Sequence, residues 1–88
     1  MTKLDAQMRV GLRIKELRGE LGLSQEAFAY SIEMSRTYLA EIEVGKRNVS
    51  VANIDRIARG LGLSLRSFFD SELFDEGYTP RDSSPTPR

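Results

Sequence analysis

The sequence predicts an all-α, compact five-helix domain with a flexible C-terminal tail, and three observations carry that prediction. Apolar residues recur at the three-to-four-residue spacing of a helix face, a serine precedes each of four short apolar segments, and a glycine closes most segments. No stretch alternates β-branched or aromatic with polar residues, as a half-buried strand would.

Val10, Ile14, Leu17 and Leu21 mark the inner face of a first helix that Gly22 stops. Ser24 caps a second, short helix from about Gln25 to Ile32, its hydroxyl placed to accept an N–H that has no partner within the helix. Phe28, Ala29 and Ile32 are its inward residues. Ser35 caps a third helix to about Val44, with Leu39 and Ile42 inward and Gly45 at its end. Ser50 caps a fourth, with Ile54, Ile57, Ala58 and Leu61 on one face and Gly62 after it. Ser64 caps a short fifth, Leu65 to Phe69, and the apolar spacing leaves open its continuation through Leu73 and Phe74.

A chain of 88 residues has room for one small domain, taken as residues 1–76, with residues 77–88 as a Pro/Ser-rich tail too polar to repay its ordering entropy. With no Cys and no His, the chain lacks the usual zinc ligands, the thiol nucleophile and the imidazole base, so neither an enzyme nor a cofactor or metal protein is expected. No apolar run approaches a membrane span of ~18 residues, and Lys3, Asp5 and Arg9 interrupt any secretory signal at the N-terminus. A cytoplasmic protein without a membrane partner is the expectation.

Thirteen basic residues balance thirteen acidic ones, which argues against a polyanionic partner only if the charge is evenly spread. It is not. Residues 1–69 carry +3 and residues 70–88 carry −3, so the neutral total hides a mildly basic body and an acidic end.

Residues 25–44 hold the functional signal. Two short helices separated by Glu33, Met34 and Ser35 have the connection length of a helix-turn-helix. Ala29 is small where the two helices would cross, and Leu39 and Ile42 fix the second helix on the first. Arg36, Thr37, Ala40 and Glu41 then face away from the core.

Leu-Ser-Gln-Glu-Ala-Phe-Ala at 23–29 and Ile-Glu-Val-Gly-Lys-Arg-Asn at 42–48 resemble the Cro and phage-repressor (Xre-type) helix-turn-helix proteins, over about residues 9–69. Arg-Thr-Tyr at 36–38 with Arg-Asn at 47–48 is also similar to the controller proteins of restriction–modification systems. The resemblance implies a lambda-repressor-like fold whose third helix enters the major groove of double-stranded DNA. Glu33 departs from the family's usual Gly at the turn, a substitution that costs roughly 1 kcal/mol.

On this resemblance Arg36 reads guanine, Thr37 bonds a base or packs on a thymine methyl, and Glu41 accepts from cytosine or repels phosphate. Gln25 fixes the DNA backbone and orients the reader, and Ser35 stands at the head of the reading helix. Tyr38 lies beside the backbone, and Lys46, Arg47 and Asn48 supply phosphate contacts, although an exposed turn explains that trio equally well. Arg18 and Glu43 form a partly buried structural ion pair.

Leu65, Phe68, Phe69, Leu73 and Phe74 are more apolar residues than one short helix hides, so some of them point to a homodimer interface, with Phe68 or Phe69 expected in the core in any case; the alternative is that all five belong to the monomer core. The expected function is a homodimeric transcription regulator on a pseudo-palindromic operator, autoregulatory and of the restriction–modification controller type. An antitoxin-type or phage-type repressor, acting partly by protein–protein interaction through the acidic segment from Asp70, is the alternative. Nothing in the sequence specifies a contact with RNA polymerase.

Overall fold

Asp5 opens the first helix by accepting from the Met8 N–H at 2.9 Å, a cap that the apolar periodicity alone does not mark. The computed structural model describes residues 5–78, which form α1 (Ala6–Glu20), α2 (Gln25–Ser31), α3 (Arg36–Glu43), α4 (Val51–Gly60), α5 (Leu65–Phe68) and a 3₁₀ turn (Glu72–Phe74). Ser24, Ser35, Ser50 and Ser64 cap α2 to α5, each accepting from an N–H in the first turn. No strand occurs among the described residues, and none of their helices is long and apolar enough to cross a membrane.

The core lies where the inner faces converge: Ile14 of α1, Phe28 of α2, Leu39 and Ile42 of α3, Ile57 and Ala58 of α4 and Phe68 of α5 are essentially inaccessible. Each large side chain among them contributes about 1.5–3 kcal/mol by leaving water, so the five helices stabilise one another. At Gly11 the backbones of α1 and α3 meet; a Cβ there would overlap the carbonyl oxygens of Ile42 and Glu43.

The turn from α2 to α3 is closed by main-chain bonds, Glu33 N–H to Tyr30 O at 3.1 Å and Met34 N–H to Ala29 O at 2.9 Å. That closure needs a left-handed residue, and Glu33 takes it at φ 56°. Arg56 of α4 holds the turn from outside by donating to the Glu33 oxygen at 2.9 Å.

One expectation about the chain's inner face changes, and one open point closes. Leu21, placed on the inner face of α1, is 55% exposed, because it sits at the helix end where the chain turns away at Gly22. The fifth helix does not run on through Leu73 and Phe74. It stops at Phe68, where the Arg13 guanidinium takes the carbonyls of Phe68 (2.6 Å), Ser67 (3.0 Å) and Asp70 (3.4 Å), the oxygens a longer helix would use itself. Ser71 then caps the 3₁₀ turn by accepting from Leu73 N–H.

Arg9 fastens this turn to α1 through the carbonyls of Leu73 (2.7 Å) and Asp75 (3.0 Å), and it lies 6.0 Å from the ring centre of Tyr78. Gly77 and Tyr78, the first residues assigned to the tail, are thus part of the described body; the rest of that assignment, residues 79–88, lies outside the described residues.

Candidate nucleic-acid interface

The first residues of α3 have no neighbour over them. Ser35, Arg36 and Thr37 are exposed, while Leu39 and Ile42 on the opposite side are buried, so the helix is anchored by one face and offers the other. Gln25, Arg36, Thr37, Ala40, Glu41, Val44 and Lys46 line a shallow concavity of about 380 Å3 on that side. Of the sequence-derived contact residues, Gln25, Arg36, Thr37, Glu41 and Lys46 share this surface, whereas Ser35, Tyr38, Arg47 and Asn48 are not among its lining residues.

Three arrangements fix that surface to the fold. Arg18 of α1 makes a bidentate pair with Glu43 at the end of α3, Nε to Oε2 at 2.8 Å and Nη2 to Oε1 at 2.9 Å, and Arg18 also donates to Leu23 O at 2.7 Å. The side chains are 14% and 2% exposed, so this pair is screened from water and joins α1 to α3 and the α1–α2 loop. Accepting these bonds, Glu43 holds the Arg18 guanidinium above its ordinary pKa, against the opposing effect of burial.

Gln25 completes the cluster by donating from Nε2 to Glu43 Oε1 at 2.9 Å. One amide hydrogen is therefore engaged inside the protein, which orients the side chain at the edge of the concavity and leaves its remaining groups for a ligand. The third arrangement is in the loop. Arg47 Nε bonds Glu41 Oε1 at 2.7 Å, its guanidinium carbon lies 5.3 Å from the Tyr38 ring centre, and Asn53 of α4 donates to the Tyr38 hydroxyl at 3.2 Å. Glu41 raises the Arg47 pKa through this hydrogen bond and its charge.

These partners sort the cations. Arg9, Arg13, Arg18, Arg47, Arg56 and Arg59 each hold a partner within the chain. Among the described residues the side chains of Arg36 and Lys46 form no ion pair or hydrogen bond, as is also true of Lys15 and Arg66, and of these four only Arg36 and Lys46 line the concavity. Asn48 is exposed beyond them in the same loop.

Of the apolar residues set aside for a partner copy, Phe68 is wholly buried and has no surface to offer, which corrects its assignment to the interface. Its ring lies edge-on to Phe69 at 5.0 Å inside its own chain. Leu73 is 8% exposed and Leu65 is partly buried against the core. Phe69 is 39% exposed, and with Phe74, Ala6 and Val10 it borders an open concavity of about 350 Å3.

Sequence reasoning missed Asn53, Arg56 and Val44. Val44 is 62% exposed on the rim of the concavity, although the spacing placed it only as a helix end. Asn53 and Arg56 reach residues 15 and 23 positions away, and such pairings follow from how α4 packs rather than from any local pattern.

Comparison with known proteins places this arrangement. The helix-turn-helix family model matches residues 14–68, and the chain belongs to that family. It is 48% identical over 73 residues to the control protein C.MunI from Mycoplasma sp, covering 82% of this chain and 92% of that one. The restriction–modification controller protein C.AhdI from Aeromonas hydrophila superposes with a TM-score of 0.68 at 40% identity, covering 72% of this chain and 96% of that one. The controller protein C.Esp1396I, solved as a tetramer with its natural 35 base-pair operator, superposes with a TM-score of 0.71 at 34% identity, covering 76% and 88% of the two chains.

Proposed function

We propose that the protein is a sequence-specific DNA-binding transcription regulator of the restriction–modification controller type, binding operator DNA as a homodimer or a higher assembly of dimers. The observation that carries this reading is the pair of unengaged cations, Arg36 at the head of α3 and Lys46 in the loop after it, lining one open concavity while the arginines around them are held by internal partners. A guanidinium at the head of an exposed helix can take both O6 and N7 of guanine, which makes Arg36 the base reader. Thr37 adds a hydroxyl and a methyl beside it. Lys46, Asn48, Tyr38, Gln25 and the Arg47 nitrogens that Glu41 does not take hold phosphates and set the register without reading sequence. The relatives support the subtype: a control protein at 48% identity, and a controller bound to its operator.

One α3 covers too few base pairs for a specific site, so two copies present their helices to successive major grooves about 34 Å apart. Leu65, Leu73, Phe69 and Phe74 form the apolar end of the molecule, and its exposed part, Phe69 and the Phe74 edge, is the surface at which two copies meet. The chain acts by binding and not by catalysis.

An electrophoretic shift with the DNA upstream of its own coding region, against a random duplex of equal length, tests the reading. A discrete shifted species at protein concentrations that leave the random duplex unbound is the expected result. Equal binding to both would overturn it.

A further inference from the structure

We infer that Asn53 is a positioning residue for DNA binding: it sets the Tyr38 hydroxyl as a hydrogen-bond donor aimed at a backbone phosphate. This rests on the DNA-binding reading above, and it concerns a residue on α4, outside the helix-turn-helix pair itself.

A phenol oxygen carries one hydrogen and two lone pairs. Asn53 Nδ2 donates into it at 3.2 Å, so one lone pair is taken and the hydroxyl hydrogen must point elsewhere. Arg47 lies over the ring face at 5.3 Å and is itself bonded to Glu41 at 2.7 Å, so one face of the ring is covered. Tyr38 is half-buried and therefore presents its edge from a fixed place between α3 and the head of α4. A phosphate oxygen only accepts hydrogen bonds, and a phenol whose hydrogen is held outward is its complement. Asn53 has a separate backbone tie, its N–H to Ser50 Oγ at 3.1 Å, so removing its side chain leaves the α4 cap in place.

The test measures affinity for the upstream duplex with the wild type, Tyr38→Phe, Asn53→Ala, Asn53→Asp and the Tyr38→Phe/Asn53→Ala double variant, with thermal unfolding of each. Tyr38→Phe weakens binding roughly tenfold, the worth of one hydrogen bond to a charged group. Asn53→Ala weakens it severalfold at unchanged melting temperature, and adds nothing in the Tyr38→Phe background. Asn53→Asp, which accepts the phenol hydrogen itself, is at least as damaging as Tyr38→Phe. A duplex carrying single methylphosphonates locates the phosphate: one position weakens wild-type binding, has no further effect on Tyr38→Phe and a reduced effect on Asn53→Ala.

An equal loss from Asn53→Ala with and without the Tyr38 hydroxyl would overturn the proposal, since Asn53 would then act independently of it. So would methylphosphonate sensitivity at that position as large in Asn53→Ala as in the wild type. Failure of the wild type to prefer the upstream duplex would instead reject the DNA-binding reading from which the proposal starts.

Discussion

The Arg56 guanidinium donates to the main-chain oxygen of Glu33 at 2.9 Å, and Glu33 is the non-glycine residue that turns α2 into α3 with φ 56°. The turn that orients the exposed helix is thus held in a left-handed conformation by a clamp from α4. Strain and clamp are separable. Glu33→Gly removes a left-handed penalty of about 1–2 kcal/mol and gives back part of it as unfolded-chain entropy, so a net gain of about 0.5–1 kcal/mol is expected. Thermal unfolding should show a rise of roughly 2–8 °C. Arg56→Ala, losing the clamp but keeping the glutamate, should lower stability by about 1 kcal/mol.

The Arg18–Glu43 pair should behave as a buried pair. Glu43→Ala leaves a guanidinium at the α1–α3 seam without its partner and should cost about 3–5 kcal/mol in denaturant unfolding. Replacing both partners, Arg18→Met with Glu43→Leu, should recover most of that loss. Because Glu43 raises the arginine pKa, the guanidinium's share of the stability is complete below the ordinary arginine range and is lost only as pH climbs through the raised value. No decline from this group is expected through neutral and mildly alkaline pH.

Gly11→Ala should destabilise the fold although alanine favours a helix. The added methyl meets backbone oxygens of Ile42 and Glu43, which cannot rotate aside as a side chain would. Overpacking of this kind costs about 1–3 kcal/mol, and the shift should be visible in the urea midpoint at constant m-value.

Two neighbouring phenylalanines should separate folding from assembly. Phe69→Glu alters an exposed ring and should leave a folded monomer in sedimentation at micromolar concentration, whereas Phe68→Glu places a charge in the core and should prevent folding. A Phe69→Glu protein that still sediments as a dimer would remove this surface from the interface.

The parts of this molecule that local chemistry determines were legible in the sequence. Ser24, Ser35, Ser50 and Ser64 announced four helix starts, and Phe28, Leu39, Ile42 and Ile57 gave the inner faces, because caps and helical periodicity act within a few residues. The end of the chain was not. Arg9 and Arg13 bind carbonyls 54 to 66 residues away, and that binding, with the Ser71 cap, ends α5 and folds the 3₁₀ turn back on α1. At the candidate site, the family resemblance named the exposed residues of α3, but the engagement of Glu41 with Arg47 and of Tyr38 with Asn53 needed the packing of the loop and α4. The charge balance shows the same limit: a surplus of +3 over residues 1–69 says less than which cations lack a partner.

The measurement that bears most directly on the central claim is the ratio of affinities for the upstream duplex and a random one, for wild type, Arg36→Ala and Lys46→Ala, over a salt series. Arg36→Ala should lose about 1–3 kcal/mol of discrimination, a collapse of roughly five- to 150-fold in the ratio. Lys46→Ala should weaken both duplexes alike and flatten the salt slope by about one unit. A ratio unchanged by Arg36→Ala would contradict the assignment of α3 and its leading arginine as the reader of sequence.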